Sequence, residues 1–159
     1  MLAPPARAKF NSRINPAFNP KINPKVNASL NPLFNPWLSP HGNAHINPES
    51  NRPSNPIYTA SLNPTANPRL DPKQTSGCSS LRRWTPDSEP SGCVVNTVVK
   101  SLLLLFDQNL EWTAFAIDNR HRGFNVFNLS GDWNGYLLRN EAGGMNEFNL
   151  EADWVGFIL

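Results

Sequence analysis

The side chains best suited to hold a ligand in this chain are aromatic and evenly spaced. Trp112, Trp133 and Trp154 recur every 21 residues, and each is followed three positions later by Phe115, Tyr136 or Phe157. Indole faces attract apolar bodies and cations, so three in a row can line a groove for a sugar, a lipid or a cationic head group. The competing reading makes these six side chains the hydrophobic core of a small β domain. It is the favoured one, because a small domain must bury most of its aromatics.

Acids, bases and metal ligands are thinly provided. His41 and His45 hold the third place of neighbouring tetrapeptides, described below, and read as solvated surface. A metal site needs three or four ligands, and the adjacent third places, Leu33, Trp37, Glu49 and Pro53, do not complete a set. His121 stands between Arg120 and Arg122 in a polar link. The chain has no nucleophile elbow, Gly-rich phosphate loop or helical metal motif. Its Asp/Glu pairs fall in turns, where turn chemistry explains them. The expectation is a protein that is not an enzyme and has no catalytic residues, metal or cofactor. NPIY (55–58) matches a turn that phosphotyrosine-binding domains read, but it is one instance of a repeat that fills the front of the chain. NAS (27–29) and NLS (128–130) are glycosylation sequons that matter only in a secreted chain.

The aromatic spacing belongs to a repeat. FDQNLEWTAFAI (106–117), FNLSGDWNGYLL (127–138) and FNLEADWVGFIL (148–159) align without gaps. Each reads as a β-hairpin, with a polar turn and a Trp opening the returning strand. Ala114, Gly135 and Gly156 leave room for a ring against the backbone. VVNTVVKSLLLLF (94–106) supplies a further, or a longer, strand. Both faces of the returning strands are apolar, which predicts closure into a small barrel or packing against the front half.

That front half is written in fours. From Asn11 the chain runs NSRI NPAF NPKI NPKV NASL NPLF NPWL SPHG and on to DPKQ, ending at 74, in sixteen units without a slip. A first-place Asn, Ser, Thr or Asp can accept from an N–H two residues on, and the proline after it presets a turn. The third place varies. The fourth is apolar in most units, as in Ile14, Phe18, Leu38 and Leu62. A disordered linker has no reason to keep that phase, so the expectation is a stacked solenoid with an apolar axis and three or four units per coil. Gly42, Ser50 and Ser54 mark where that axis is thinnest.

Composition divides at the same boundary. Residues 1–75 hold fourteen of the sixteen prolines and eight Lys/Arg against two Asp/Glu, while the remainder holds six against ten. Proline at this density excludes long helices. The scattered cations lack base-stacking companions, so nucleic acid is not an expected partner. MLAPPARAKF carries no secretory signal, and no later stretch could span a bilayer as a helix. The expected location is the cytoplasm, with Cys78 and Cys93 as reduced thiols, unless the chain is exported without a signal.

The double repeat resembles a group of uncharacterised bacterial proteins with an NPx(apolar) array followed by F-[DN]-x4-W-x-[AG]-[FY] hairpins, a resemblance covering 11–74 and 100–159. The NPxx turn is similar to the Asn-Pro repeats of malaria circumsporozoite protein, which implies turn geometry alone. The hairpins are loosely similar to choline-binding repeats and tubby-like barrels, which implies a cationic head group or a lipid as ligand. The reading is all-β: a lead-in (1–10), a tetrapeptide solenoid (11–74), a linker (75–93), and an antiparallel meander or small barrel of three hairpin repeats (94–159). The expected function is a structural or interaction protein that binds a protein partner or associates with itself. The alternative is a ligand-binding module using the six aromatics on a repeat stalk, and a third reading is an effector or toxin component.

Overall fold

The Asn-Pro phrase turns because its own atoms satisfy one another. The structure is a computed structural model describing residues 7–75, 78 and 81–159; residues 1–6 of the expected lead-in and 76–77 and 79–80 of the expected linker lie outside it. Across the array the chain makes one tight turn per unit, many of them single 3-10 turns. In the unit 15–18 the Asn15 Oδ1 accepts from the N–H of Ala17 at 2.9 Å, and the Asn15 carbonyl accepts from the N–H of Phe18 at 3.2 Å. Asn19, Asn31 and Asn55 repeat the side-chain bond at 3.1, 3.0 and 3.0 Å. Proline at the second place presets φ and has no N–H to leave unpaired.

The other end of the Asn side chain sets the larger repeat. Asn31 Nδ2 donates to the Pro24 carbonyl, Asn35 to Ser29, Asn43 to Trp37 and Asn67 to Ser61. Each bond reaches six or seven residues back, so a unit is tied to the unit before last. Burial follows this eight-residue beat. Ile14, Leu38 and Leu62 are 0%, 1% and 2% exposed, whereas Phe18 and Phe34 are 60% and 71% exposed. The expected apolar axis with three or four units around it is therefore not what forms. With units alternating two by two, successive fourth places face the rest of the protein and the solvent in turn. The turn Ala8–Phe10 continues this beat ahead of Asn11.

What the ribbon lies against is a closed antiparallel barrel of eight strands: β1 Leu81–Trp84, β2 Pro90–Asn96, β3 Leu102–Asp107, β4 Trp112–Asp118, β5 Gly123–Asn128, β6 Trp133–Arg139, β7 Met145–Asn149 and β8 Trp154–Ile158. The expected hairpins are β3–β4, β5–β6 and β7–β8. Closure comes from β8 pairing with β1, so the open meander is not the form adopted. The run 94–106, read as a further or a longer strand, is divided between β2 and β3. Part of the segment read as linker forms β1 and the start of β2.

Residues 84–93 are in fact a fourth hairpin in the same frame. Trp84 takes the place of Phe106, Phe127 and Phe148, and Gly92 that of Ala114, Gly135 and Gly156. All four turns close alike, with N–H to carbonyl bonds Thr85–Glu89, Asp107–Glu111, Asn128–Asp132 and Asn149–Asp153. All four place a left-handed residue at the same step: Ser88, Leu110, Gly131 and Ala152. Each hairpin shifts register just beyond its turn, leaving Ser91, Thr113, Asn134 and Val155 as the extra residues. Cys93 occupies the outward place held elsewhere by Phe115, Tyr136 and Phe157. It forms a disulfide with Cys78, with the Cα atoms 5.9 Å apart, so of the two states the sequence left open, thiols or a bridge, the bridge is present. In this hairpin a covalent tie stands where the others stack a ring.

Both sides of the barrel wall are apolar, and each is covered. Leu103, Leu105, Ala116, Phe124, Leu137 and Ile158 fill the inside. Outward residues meet the ribbon: Trp84 and Phe157 pack with Ile14, Tyr136 and Phe148 with Leu30, and Leu104 and Phe115 with Leu62 and Leu70. Closure and packing, weighed as alternatives from the sequence, both occur.

The two repeats mesh at a fixed ratio. Asn146 on β7 donates to the carbonyl of Ile14 at 2.6 Å, and Asn125 on β5 donates to that of Leu38 at 2.7 Å. Leu104, the corresponding residue of β3, shares a cluster with Leu62. Three double units of ribbon thus pass each hairpin of 21 residues. The same ratio places Lys25 against Asp153 and Lys73 against Glu111. Lys25 draws the Asp153 carboxyl below its ordinary range through a hydrogen bond and its charge, and Glu111 raises the Lys73 ammonium in the same way. Midway between those lysines stands Glu49, against Gly131 in the β5–β6 turn that ends at Asp132, where the Glu49 carboxylate accepts from the Tyr58 hydroxyl at 3.3 Å. Replacing Glu49 by Lys should complete the series. We expect a small rise in urea midpoint at low salt, within the about 0.2–1 kcal/mol of an exposed pair, that disappears at high salt or in an E49K/D132N background.

Candidate functional site: the outer face of the ribbon

The face of the ribbon turned away from the barrel carries a row of large apolar side chains. Phe10, Phe18, Val26 and Phe34 follow one another at eight-residue steps, and Leu33 and Trp37, third-place residues on either side of Phe34 in the sequence, are exposed as well. All six are mostly in water. Aromatic side chains carry about 150–250 Å² each, so the row leaves roughly 700 Å² of apolar surface exposed, more than the about 300–600 Å² of the largest patch on a typical monomer. The turns that carry Phe18, Val26 and Phe34 are each closed by an Asn side chain, and those of Phe18 and Phe34 are also tied to the unit before last.

The six residues singled out from the sequence are divided by the fold. Phe115, Tyr136 and Phe157 are buried between barrel wall and ribbon. Phe115 stacks on Phe127, and Tyr136 on Phe148, in both cases with ring centroids 5.5 Å apart. Burial pushes the Tyr136 hydroxyl up out of its ordinary titration range. Trp112, Trp133 and Trp154 open β4, β6 and β8 at the hairpin end and remain half-buried. The indoles of Trp112 and Trp133 donate to the carbonyls of Ala114 and Gly135, both at 2.9 Å. Trp154 departs from this: its N–H, like the Tyr136 hydroxyl, is buried with no hydrogen-bond partner among the described residues. His41 meets the edge of Trp133 at 5.6 Å. Among the described residues no group of three His, Cys, Asp or Glu is placed to hold a metal, and no helix is long and apolar enough to cross a membrane.

The hairpin end also opens into a cavity of about 260 Å³, bordered by Thr113, Asn134 and Val155, the immediate neighbours of the three tryptophans. Arg83 and Glu147 flank it, paired through Nε to Oε1 at 2.7 Å and Nη2 to Oε2 at 3.1 Å. Arg83 Nη1 donates further to the Phe106 carbonyl. Desolvation alone would pull the guanidinium down; the charge and hydrogen bonds of Glu147 outweigh it and hold Arg83 charged. Gly156 lets the pair form across β8, since a Cβ there would lie 2.7 Å from the Trp84 carbonyl oxygen and 3.4 Å from Glu147 Oε2. The sequence reading missed this pair. The signal was present: Arg83 and Glu147 precede the frame aromatic, where the other hairpins have Leu105 and Val126.

Comparison with protein families, curated proteins and solved structures finds no match to this chain.

Proposed function

We propose that this is a non-enzymatic interaction protein that associates with a second copy of itself through the outer row of the ribbon. The observation that carries the reading is the row itself: six large apolar side chains that stay mostly exposed among the described residues. Their exposed area is close to the about 800 Å² that each partner contributes to a standard interface. An evenly spaced row is also complementary to itself when turned end for end, which is what a two-fold contact requires. Turned about a point near Ile22, the row sets Phe10 opposite Phe34 of the other copy and Phe18 opposite Val26, apolar against apolar along its length.

The barrel serves this function as a former. It holds the ribbon along its length, so the contact loses little chain entropy on association. Sedimentation velocity over a concentration series tests the proposal. The wild-type chain should pass from monomer to dimer in the micromolar range, and F18S/F34S should remain monomeric with an unchanged far-ultraviolet spectrum. A wild-type chain that stays monomeric at millimolar concentration, or a variant that dimerises equally well, would sink the reading.

A further inference from the structure

A second site lies at the opposite end of the barrel, where ribbon and strand links meet. The ribbon contributes Lys21, Ile22 and Leu30, and the barrel contributes Arg122, Leu138 and Arg139, around a cavity of about 340 Å³. We infer that this cavity binds a small organic anion, a phosphate monoester or a carboxylate carrying a short apolar group.

Three cations converge there against a single carboxylate, that of Glu141. Lys9, Lys25 and Lys73 each meet an acidic turn residue of the barrel. Lys21, Arg122 and Arg139 have no side-chain hydrogen bond or ion pair among the described residues. Glu141 also borders the cavity, but its carboxylate already accepts from Asn19 Nδ2 at 3.0 Å, and its carbonyl accepts from Arg13 Nε at 2.9 Å. Against one committed carboxylate the three cations leave an excess of positive charge.

Grouping like charges costs free energy unless a counter-charge joins them. The backbone adds to that cost, because Arg122 is held at φ 70°, a left-handed conformation that disfavours any side chain. Two guanidinium groups and an ammonium suit the oxygens of phosphate or carboxylate, the arginines by their forked donors. Ile22, Leu30 and Leu138 form the remaining wall, so the bound anion carries an apolar portion. Since both halves of the chain supply the lining, an occupied cavity would also fasten the ribbon to the barrel.

Calorimetric titration with phenyl phosphate and with benzoate, at constant ionic strength, tests the inference. At least one should bind saturably and raise the thermal midpoint, while phenol and benzyltrimethylammonium should not bind. Arg122→Gln and Arg139→Gln should each weaken binding about 10- to 100-fold. Both side chains are exposed, so the variants fold, and an unchanged tryptophan emission spectrum will verify that the ribbon stays docked. Vesicles containing phosphatidic acid separate the sources of the anion. Arginine-dependent binding to vesicles as well as to the free probe assigns a lipid head group, and binding to the free probe alone assigns a soluble compound. The inference is overturned if neither probe binds, if phenol binds as well as phenyl phosphate, if the arginine variants bind unchanged, or if only vesicles bind.

Discussion

Replacing Leu38 by Ala should cost about 2–5 kcal/mol of stability, whereas replacing Phe34 by Ala should change it by less than about 0.5 kcal/mol. The two residues hold the same place in adjacent tetrapeptides, and Phe is the larger. A reading in fours therefore predicts the opposite order. The eight-residue beat reverses it: Leu38 is 1% exposed beneath the ribbon, and Phe34 is 71% exposed on its outer side. The Leu38 site also has little room to collapse, because its carbonyl is held by Asn125 from the barrel wall. Urea unfolding followed by tryptophan emission gives both values, at a protein concentration low enough to exclude dimers. Equal losses from the two variants would mean that the units do not alternate, and the outer row would lose its structural basis.

The alternation was legible in the sequence once units were compared with their second neighbours. Units facing the barrel end in Ile14, Ile22, Leu30, Leu38, Ile46, Leu62 and Leu70, Ile or Leu at every place but Ser54. Units facing solvent end in Phe10, Phe18, Val26, Phe34 and Tyr58, or in the small residues Gly42, Ser50 and Ala66. Merging the two sets into one apolar fourth place concealed the signal. It also made Gly42 and Ser50 look like gaps in a core that neither of them faces. Of the suspected weak points only Ser54 lies on the inner side, and Ile57 packs against the barrel cluster close by.

Other features were out of reach for physical reasons. The turn chemistry of Asn-Pro is local and could be derived from four residues, but the ratio of ribbon to hairpin depends on how two repeats of different length run past each other. Neither repeat alone contains that ratio. The fourth hairpin escaped notice because its two diagnostic places hold Pro90 and Cys93 instead of Trp and Phe or Tyr. What keeps it in frame is backbone behaviour at Thr85, Ser88 and Gly92, which a pattern of side-chain types does not register. The basic cavity gathers Lys21 with Arg122 and Arg139, about a hundred residues further on. Only the wrapping of the ribbon brings them together.

The Arg83–Glu147 pair should be the point at which a single charge matters most. Arg83→Met leaves the Glu147 carboxylate inside the barrel with its partner gone, and we expect a loss of about 3 kcal/mol or more at neutral pH. Glu147→Leu alone strands the guanidinium in the same way. The double variant R83M/E147L should recover most of the loss, because two apolar side chains of similar volume can join the layer already formed by Leu105 and Val126. The signs of these changes distinguish burial from surface pairing. An exposed pair would cost little when either partner is removed, and the double variant would be no better than the singles. A double-mutant cycle by urea unfolding measures the coupling directly. If R83M is tolerated at neutral pH, water must reach the carboxylate freely, and the cavity at the hairpin end is an open mouth with no polar floor of its own.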